Sequence, residues 1–455
     1  MTMSKTAFLL GLSSLLRLTL LSPFLRSYSP WMMKSFIDGG APFFRHPAYS
    51  IDNLREQRFI SRFFDDDQPS SFSSSYRFFA NDAYGLPPLV SALFHPVLSL
   101  GGDEDDGDGE WWMCFVFGVL SSLVDAAISK CLFDICRRAL DDDNDESIEE
   151  ERMTNDTILF PPYSRTFGLS STAKNGGDDD DAIISLPDLP TTISLCYYCN
   201  PLVIASSSAY LSFQNVSFLL FLLPLRSAGR GDGVPATLFW VACGVYWDAY
   251  LGVTLTIPVV LLLARRRRVG LRRLIPGAAI FFIVWICSLF GLSRQLVGDD
   301  VSISYYYKQH EIYQPSLSTL WYFSLQQFDR FRTYFRTLMF VLPYTFVLPL
   351  TIRFHRYPIE LAVMFILLHY IYNPIQTLAH LSFALTVILF SPRTMSRMVM
   401  MSFVALLCLP VPVTLCVLFY WQWIETGAGN PNYLFFQCLG ANLFVAGVFV
   451  DYVDA

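Results

Sequence analysis

The sequence predicts an all-α, polytopic membrane protein with about 11–12 transmembrane helices. The first observation is composition, because 53% of the 455 residues are hydrophobic and only 16% are charged. A soluble domain usually carries about 25% charged residues. The second observation is a series of apolar segments, several of which reach the ~20 residues needed to cross a bilayer. The third is that arginines concentrate in short segments between those apolar stretches.

The predicted organisation is one large membrane domain preceded by a first helix and several polar segments. The acidic residues are bunched, with six acids in 103–110 and eight in 141–151. Such runs indicate solvated loop inserts rather than binding sites. The predicted units are a first transmembrane helix at 1–25, a luminal loop at 26–84, a second span region with an acidic insert at 85–135, an acidic, disordered cytosolic loop at 136–192 and a multi-span transmembrane domain at 193–455.

The first span is predicted at residues 7–24, where an apolar run follows Lys5 without an obvious cleavage site. We expect it to remain uncleaved and to direct the chain into the endoplasmic reticulum (ER) membrane. Arg17 lies inside it, and such an arginine either snorkels to the interface or faces protein or a polar cavity. Residues 111–133 are long enough to cross, whereas residues 86–100 predict half of a broken span or an interfacial segment.

The multi-span domain is predicted from nine apolar segments separated by polar ones. Trp247-Asp248 interrupts the third segment, so that block is predicted to hold two helices. The segments are 193–208, 210–225, 237–264, 275–292, 339–351, 359–372, 375–390, 399–421 and 433–450.

Arginine-rich loops set the predicted orientation. Residues 265–273 hold six arginines in a short link between two apolar segments, and such a link is cytosolic under the positive-inside rule. Counting spans outward from this link places residues 226–233, 353–357 and 391–397 on the same side, and each of them carries arginine. Both chain termini are then predicted to be cytosolic.

Residues 316–340 follow a predicted luminal loop at 293–318 and predict an amphipathic helix on the luminal membrane surface. Apolar side chains recur every three or four residues, the period of one helical face, and polar side chains recur opposite them. Such a helix suits the membrane–water boundary. The apolar face consists of Trp321, Leu325, Phe328, Phe331, Phe335 and Leu338, and the polar face of Gln326, Asp329, Arg330, Thr333 and Arg336.

A second predicted luminal loop, residues 425–432, joins two apolar spans. Gly427, Gly429 and Pro431 predict a tight turn at the membrane surface. Asn430 and Asn432 carry both donors and acceptors, which suit a sugar or phosphoethanolamine headgroup. An ordinary Asn/Gly turn fits the same residues, so their chemistry alone leaves both interpretations open.

The common enzyme motifs do not occur in the sequence. It has no phosphate-binding loop, nucleophile elbow, zinc-protease motif or dinucleotide-binding glycine pattern. We expect no catalytic residue, metal or cofactor, and nothing indicates nucleic-acid binding. His369 and His380 are predicted to be interior histidines. Cys196 and Cys199 have redox spacing but are predicted to be buried structural thiols.

The predicted luminal loop at 26–84 holds the acids that a transferase would need. Polytopic ER enzymes that use dolichol-phosphate sugars place a catalytic acid in their first luminal loop, as general base for the acceptor hydroxyl. None of the aspartates here forms a tight acidic pair beside the span, so a solvated loop is preferred. They are Asp38, Asp52, Asp65, Asp66, Asp67 and Asp82.

Four segments carry a family resemblance through their order and spacing along the hydropathy profile. They resemble PIG-U-type subunits of the glycosylphosphatidylinositol (GPI) transamidase complex, and the acidic inserts depart from that family. The segments are Gly85-Leu-Pro-Pro-Leu-Val90, Cys199-Asn-Pro-Leu-Val-Ile204, Ser318-Thr-Leu-Trp-Tyr-Phe323 with the phenylalanines after it, and Trp421-Gln-Trp-Ile-Glu-Thr-Gly-Ala-Gly-Asn-Pro-Asn-Tyr-Leu-Phe435.

The resemblance implies a fold similar to that of GPI mannosyltransferases (GT-C-like) and a non-catalytic subunit of an ER complex. That complex attaches the GPI lipid to the C-terminus of precursor proteins. A cysteine-protease-like partner subunit would carry out the chemistry, while this chain would bind or present the GPI lipid. By motif match, the implied headgroup contacts are Asn430 and Asn432. The aromatic side chains of Trp321, Phe328, Phe331 and Phe335 would hold acyl chains or a partner's span. Asn373, at the broken span, is a further candidate. Arg330 and Arg336 would pair with GPI phosphates or snorkel to lipid headgroups.

Two other function classes remain as alternatives. A dolichol-phosphate-mannose-dependent mannosyltransferase of GPI biosynthesis would require an indispensable luminal acid, for which Asp38, Asp52 and Asp82 are the candidates. A small-molecule transporter would show internal repeats or paired broken helices, and the sequence has no convincing repeat.

Overall fold

The structure, a computed structural model, describes residues 5–21, 43–44, 89, 107–153, 189–297, 315–398 and 407–455. In the first half, the helices are α1 (Lys5–Leu21), α2 (Gly107–Met153), α3 (Leu189–Tyr198), α4 (Pro201–Ile204), α5 (Asn215–Arg230), α6 (Val234–Trp247), α7 (Ala249–Arg267) and α8 (Leu271–Val297). A π-helical turn, Ala205–Ala209, follows α4.

The second half adds eight helices and a second π-helical turn, Trp421–Glu425. These helices are α9 (Leu320–Gln326), α10 (Asp329–Val341), α11 (Tyr344–Phe354), α12 (Pro358–Tyr372), α13 (Leu378–Ile388), α14 (Pro392–Arg397), α15 (Pro410–Tyr420) and α16 (Pro431–Asp454).

Five stretches of the described residues are long and apolar enough to cross a bilayer, and five shorter helices are also apolar. The long ones are Cys114–Ala139, Ala249–Arg267, Leu271–Gln295, Thr337–Phe354 and Pro431–Asp454. The shorter ones are Leu9–Leu20, Val234–Trp247, Pro358–Tyr372, Leu378–Ile388 and Pro410–Ile424. The prediction of an all-α, polytopic membrane protein is therefore confirmed.

The predicted interruption at Trp247-Asp248 is confirmed as the junction of α6 and α7. The Asp248 carboxylate caps α7, because Oδ1 accepts hydrogen bonds from the backbone N–H groups of Tyr250 and Leu251 at 3.0 and 3.2 Å. Gly252 packs so tightly against the end of α6 that a Cβ atom there would lie 2.5 Å from the backbone nitrogen of Val245. The two helices therefore meet in a close turn that requires glycine on one side.

Helices α12 and α13 form a buried hairpin in the bundle. They have 15 and 11 residues, and residues 361–370 of α12 are all buried. The Ser391 hydroxyl, just after α13, donates to Glu360 at the start of α12 over 3.1 Å. The hairpin therefore begins and ends at the same end of the bundle and turns inside it at residues 373–377.

The predicted cytosolic loops lie together at that end. The Arg265 guanidinium donates to the carbonyl of Arg356 at 3.0 Å, and that of Arg267 to the carbonyl of Asp232 at 2.8 Å. These contacts join the three loops around residues 230, 265 and 356, and the fourth loop follows α13 to the same place. The arrangement agrees with the predicted topology, while the side of the membrane remains a prediction.

Three regions differ from the sequence-based expectation or lie outside the described residues. The backbone of α2 stays helical through the acidic run to Met153, where a loop was predicted from residue 136. Cys196 is exposed and Cys199 half-buried, so the prediction of two buried thiols was wrong for Cys196. Asp38, Asp52 and Asp82 lie outside the described residues.

The predicted continuous helix over residues 316–340 is divided in the structure. α9 ends at Gln326, and Gln327 and Phe328 adopt extended backbone conformations with ψ near 142° and 140° before α10 begins. One unbroken helical face was therefore the wrong prediction, because the break rotates α10 away from the register of α9. The apolar residues of the two halves point in different directions: Trp321 is buried and Phe328 is 81% exposed.

Arg17 faces protein, which decides the question that the sequence left open. Its guanidinium forms an ion pair with Asp125 of α2 and donates to the Ser207 hydroxyl at 2.8 Å and to the Tyr198 carbonyl at 3.0 Å. Both charged groups are buried. Asn215 donates to the other Asp125 oxygen at 2.9 Å. The pair fixes α1 and the π-helical turn to α2 inside the bundle.

Candidate functional site

The candidate site is the corner where α9, the glycine-containing turn before α16 and the first turns of α16 meet. Trp321 of α9 is completely buried and stacks on Trp423, with ring centroids 5.9 Å apart. Beside it Tyr322 stacks on Phe435 of α16 at 4.1 Å. These two stacks place the short helix α9 across the start of α16.

Two glycines give the turn its shape. Gly427 has a positive φ of 66°, which L-residues with side chains rarely adopt. At Gly429 a Cβ atom would lie 2.6 Å from the backbone nitrogen of Trp423, and the Gly429 N–H donates to the Gln422 carbonyl at 3.0 Å. The turn therefore folds back directly onto the tryptophan that supports α9, and the predicted tight turn is confirmed.

The two asparagines of the turn have defined backbone and side-chain partners. Asn430 is the N-cap of α16, since its Oδ1 accepts a hydrogen bond from the Asn432 N–H at 2.9 Å. Asn432 Oδ1 accepts from the Tyr322 hydroxyl at 2.6 Å. Both asparagine residues remain exposed. The carboxamide oxygen of each is used inside the protein, and among the described residues no group accepts from either side-chain NH₂, so both can donate to a ligand.

A non-helical segment beneath this corner is held by buried amides. Leu317 donates its N–H to the Gln376 carbonyl at 3.3 Å and accepts from Asn442 Nδ2 at 2.9 Å. Gln376 in turn donates to Asn442 Oδ1 at 3.0 Å. Irregular backbone at membrane depth is tolerated only where protein or water satisfies its polar groups. Gln376 and Asn442 supply those partners and so fix the chain that leads into Trp321.

The remaining predicted contact residues divide into two groups. Phe335 lies near the corner, because its ring is 5.7 Å from that of Phe323, which also meets Phe435 at 5.5 Å. Phe328 and Phe331 are 81% and 58% exposed on the far side of the helix break.

The charged and amide candidates lie further away. Arg330 is exposed on α10, and Arg336 belongs to the same helix. Asn373 lies at the hairpin turn, where its Oδ1 accepts from the Ile375 N–H at 3.0 Å. Its Nδ2 lies 3.2 Å from Nε2 of His369, which is buried as predicted. The structure therefore brings Trp321, Phe335, Asn430 and Asn432 together and leaves Asn373, Phe328 and Phe331 outside that corner.

Four residues of the site were missed by reasoning from sequence. Tyr322 and Trp423 flank residues that had been singled out, and their aromatic character was a usable signal. Gln376 and Asn442 lie in apolar segments, where a carboxamide needs a partner. A search for single amides inside predicted spans would have found both of them, because membrane helices bury such groups against other protein groups.

The arrangement has features of a binding surface. Exposed amide donors sit above stacked aromatic rings, which suits polyhydroxylated or phosphorylated headgroups attached to apolar chains.

Comparison with known proteins identifies the family. Residues 65–440 match the family described as "GPI transamidase subunit PIG-U". The chain belongs to the PIG-U family. It is 25% identical over 278 residues to the GPI transamidase component GAB1 homolog of Schizosaccharomyces pombe, which covers 58% of this chain and 64% of that protein. It is 27% identical over 137 residues to the GPI transamidase component GAB1 of Saccharomyces cerevisiae, covering 30% and 34%.

The matched regions span less than two thirds of either relative's length. The PIG-U family match nevertheless includes α9, the glycine turn and the first ten residues of α16. It therefore covers the elements that form the candidate site, and it confirms the resemblance drawn from their motifs.

Proposed function

We propose that this chain is a non-catalytic subunit of the ER GPI transamidase that binds or presents the GPI lipid for attachment to the C-terminus of precursor proteins. Membership of the PIG-U family supports the subunit role. The observation that supports lipid binding is the Tyr322–Asn432 hydrogen bond of 2.6 Å, which joins the aromatic helix to the asparagine turn. Catalysis would belong to a cysteine-protease-like partner subunit.

In this proposal the corner faces the ER lumen and both chain termini face the cytosol. The basic loops support this orientation, since they gather at one end of the bundle and the positive-inside rule assigns such an end to the cytosol. α12 begins at that end, and the glycine turn lies at the far end of α16 from Asp454, whose carboxylate is 3.9 Å from Arg353. The asparagines are therefore on the luminal side.

The proposed contacts follow from the motif match and, for Asn430, Asn432 and Arg330, also from exposure. Asn430 and Asn432 direct their NH₂ groups to headgroup oxygens, and Arg330 and Arg336 attract GPI phosphates. Phe328, Phe331 and Phe335 line the path of the acyl chains or a partner's span. Asn373 stays a weaker candidate for the headgroup. Trp321 is buried, so in this proposal it holds α9 in place.

The test compares Asn432→Ala with Tyr322→Phe in the purified complex. Tyr322→Phe removes only the hydroxyl that donates a hydrogen bond to Asn432 Oδ1. Asn432→Ala removes that hydrogen bond and also the NH₂ donor. If that donor contacts GPI, Asn432→Ala lowers GPI retention by roughly tenfold or more, since hydrogen bonds to charged groups contribute ~1.5–3 kcal/mol. Tyr322→Phe has a smaller effect. Cells carrying Asn432→Ala accumulate complete GPI and unprocessed precursors.

A control separates ligand binding from assembly. Asn430→Asp keeps an N-cap acceptor for α16 while removing the NH₂ donor, so it weakens GPI retention without changing recovery of the partner subunits. Equal GPI retention in Asn432→Ala, Asn430→Asp and the unmodified protein would exclude this site. Loss of partner subunits from all variants would instead assign the turn to assembly.

The family match favours this role over a mannosyltransferase of GPI biosynthesis. Alanine at Asp38, Asp52 and Asp82 tests the alternative directly. Under the proposed function, these variants retain GPI mannosylation, measured by radiolabelled mannose incorporation in cells that lack the endogenous protein.

A further inference from the structure

At the basic end of the bundle, α2 and α5 gather four basic side chains around one carboxylate. We name Lys130, Asp134, Arg138, Arg226 and Arg230 the Asp134 cluster. Asp134 Oδ2 lies 2.7 Å from Arg226 Nη2 and 2.9 Å from Arg230 Nη2, and Oδ1 lies 3.1 Å from Lys130 Nζ. Arg138 donates to the Arg226 carbonyl at 3.2 Å. Four cationic groups and one carboxylate leave three positive charges without a balancing acid inside the cluster.

Arg138 is the cation of the cluster that forms no ion pair with Asp134. Among the described residues, its hydrogen bond is to a carbonyl and no carboxylate pairs with it. One carboxylate, that of Asp134, and three guanidinium groups, those of Arg226, Arg230 and Arg266, lie within electrostatic range of its guanidinium. A positive-inside signal requires only that arginines occur in the loop. It does not require the fold to bring several guanidinium groups together, which raises their mutual repulsion. An anion between them would remove that repulsion.

The depth of the cluster indicates what kind of anion this is. Lys130, Asp134 and Arg138 lie in the last ten residues of the membrane-crossing stretch Cys114–Ala139. At 1.5 Å per residue they extend over about 14 Å from its end. This region overlaps the border between acyl chains and headgroups. A lipid phosphate lies at this depth, whereas a soluble anion would have to leave bulk water to reach it.

The surface of α2 next to the cluster fits the chain of the same lipid. Leu123 lies seven residues before Lys130 and therefore on the same face of the helix. Leu120 and Leu123 are 39% and 62% exposed, and Lys130 is 61% exposed. One face of α2 therefore presents apolar side chains and then, nearer the end of the span, positive charge. A lipid lying along this face has its acyl chain and its headgroup in the same order.

We propose that the Asp134 cluster binds the headgroup of an anionic glycerophospholipid in the leaflet at the basic end of the bundle. Its phosphate accepts from Arg138 and Arg230 while the acyl chain lies along α2. The acidic run at 141–151 is the competing occupant, because Asp141 and Asp142 follow Arg138 by three and four positions on one continuous helix, the spacing of neighbouring side chains. Deletion of that run distinguishes it from a lipid. This site lies at the opposite end of the bundle from the asparagine turn and does not depend on the proposed GPI function.

The protein is reconstituted into nanodiscs of phosphatidylcholine and phosphatidylserine, and loosely bound lipid is then removed. Native mass spectrometry measures which lipid stays bound to the protein. The unmodified chain retains phosphatidylserine over phosphatidylcholine. Arg138→Gln with Arg230→Gln reduces that retention by roughly tenfold or more, at ~1 kcal/mol per basic residue. The control Arg353→Gln with Arg397→Gln removes two arginines from the same end and keeps retention unchanged. Arg138→Gln alone serves if the double variant unfolds, because the Asp134 ion pairs remain.

Three results would overturn the proposal. Equal phosphatidylserine retention in the cluster and control variants would mean that general charge, and not this cluster, attracts the lipid. Displacement of the lipid by glycerophosphoserine at equal concentration would assign the site to a soluble anion. The third result combines two observations: deletion of residues 141–151 increases phosphatidylserine retention, and retention by the full chain does not depend on Arg138. Together they would identify the acidic run as the occupant of the cluster.

Discussion

Two polar regions of the molecule differ in how fully their groups are paired within the chain. Around Arg17 and Asp125 the charged atoms are buried and bonded to neighbouring helices. At the turn before α16, Asn430 and Asn432 are exposed, and within the described part of the chain each uses its oxygen alone for an internal hydrogen bond. The first region pairs its charged groups within the bundle, although Arg17 Nε and Asn215 Oδ1 have no hydrogen-bond partner among the described residues. The second leaves donors facing outward, which is the property expected of a binding site.

The difference also explains how α1 is attached. Leu12, Leu15 and Leu18 point outward and are about half exposed, as lipid-facing residues are. Ser13 and Arg17, four residues apart, instead face the protein and donate to the Tyr198 carbonyl. α1 is therefore held by its polar side, so its attachment depends on a few hydrogen bonds rather than on apolar packing.

The largest effect is expected from Arg17→Leu. Removing one partner of a buried ion pair strands the Asp125 charge and costs about 3–5 kcal/mol. The thermal midpoint of the detergent-solubilised protein falls sharply. Combining Arg17→Leu with Asp125→Leu restores much of the loss. If Arg17→Leu is as stable as the unmodified protein, the Arg17–Asp125 pair does not stabilise the bundle, and the contrast with the exposed asparagines fails.

A smaller effect is expected from Asn442→Leu. It tests whether the buried amides of Gln376 and Asn442, here called the amide clasp, support the turn that holds Asn430 and Asn432. It leaves the Leu317 carbonyl without its donor and costs about 1–3 kcal/mol. Because Trp321 follows this segment, its fluorescence and GPI retention change together. If the Asn442→Leu protein is destabilised but retains GPI normally, the amide clasp does not support the candidate site.

Next in size is Gly429→Ala. Its Cβ atom would lie 2.6 Å from the Trp423 backbone nitrogen, so the turn must move away from Trp423. We expect a loss of roughly 1–3 kcal/mol, in the range of other overpacking substitutions. Gly447→Ala on α16 is the matched control, because its Cβ atom would meet no atom within 4 Å. Equal midpoints for both variants would contradict the close contact.

The smallest effect is expected from Asn430→Ala, which removes the N-cap of α16 and costs about 1 kcal/mol. Asn430→Asp retains a capping oxygen and so recovers most of the stability. A stability loss in Asn430→Asp equal to that in Asn430→Ala would show that the cap contributes little at this position.

The sequence predicted the fold class and the tight turn because both follow from local patterns. Hydropathy and arginine placement indicated the bundle and its basic end, and Gly427 and Gly429 indicated the turn. The break after Gln326 was not predictable from periodicity, since the apolar spacing continues across it. Its cause is tertiary, because α9 is fixed to α16 through Trp321 and Tyr322.

The partners of the site were also beyond local patterns. Asn442 and Gln376 are 66 residues apart in sequence and meet only after the hairpin folds against α16. The same holds for Arg17 and Asp125, separated by 108 residues. Sequence could indicate that such groups need partners, but not which helices provide them.

The break at Gln327 and Phe328 places residues that are adjacent in the chain in two helices with different principal partners, which touch each other through the rings of Phe323 and Phe335. α9 moves with α16, to which Tyr322 is bonded through Asn432, whereas α10 continues through Pro343 into α11. We therefore expect a displacement of the turn at residues 427–432 to move Tyr322 more than Phe331. Gln327 and Phe328 thus form the extended link between α9 and α10. Alanine at both positions favours a helical link, and we expect it to join α9 and α10 into one continuous helix.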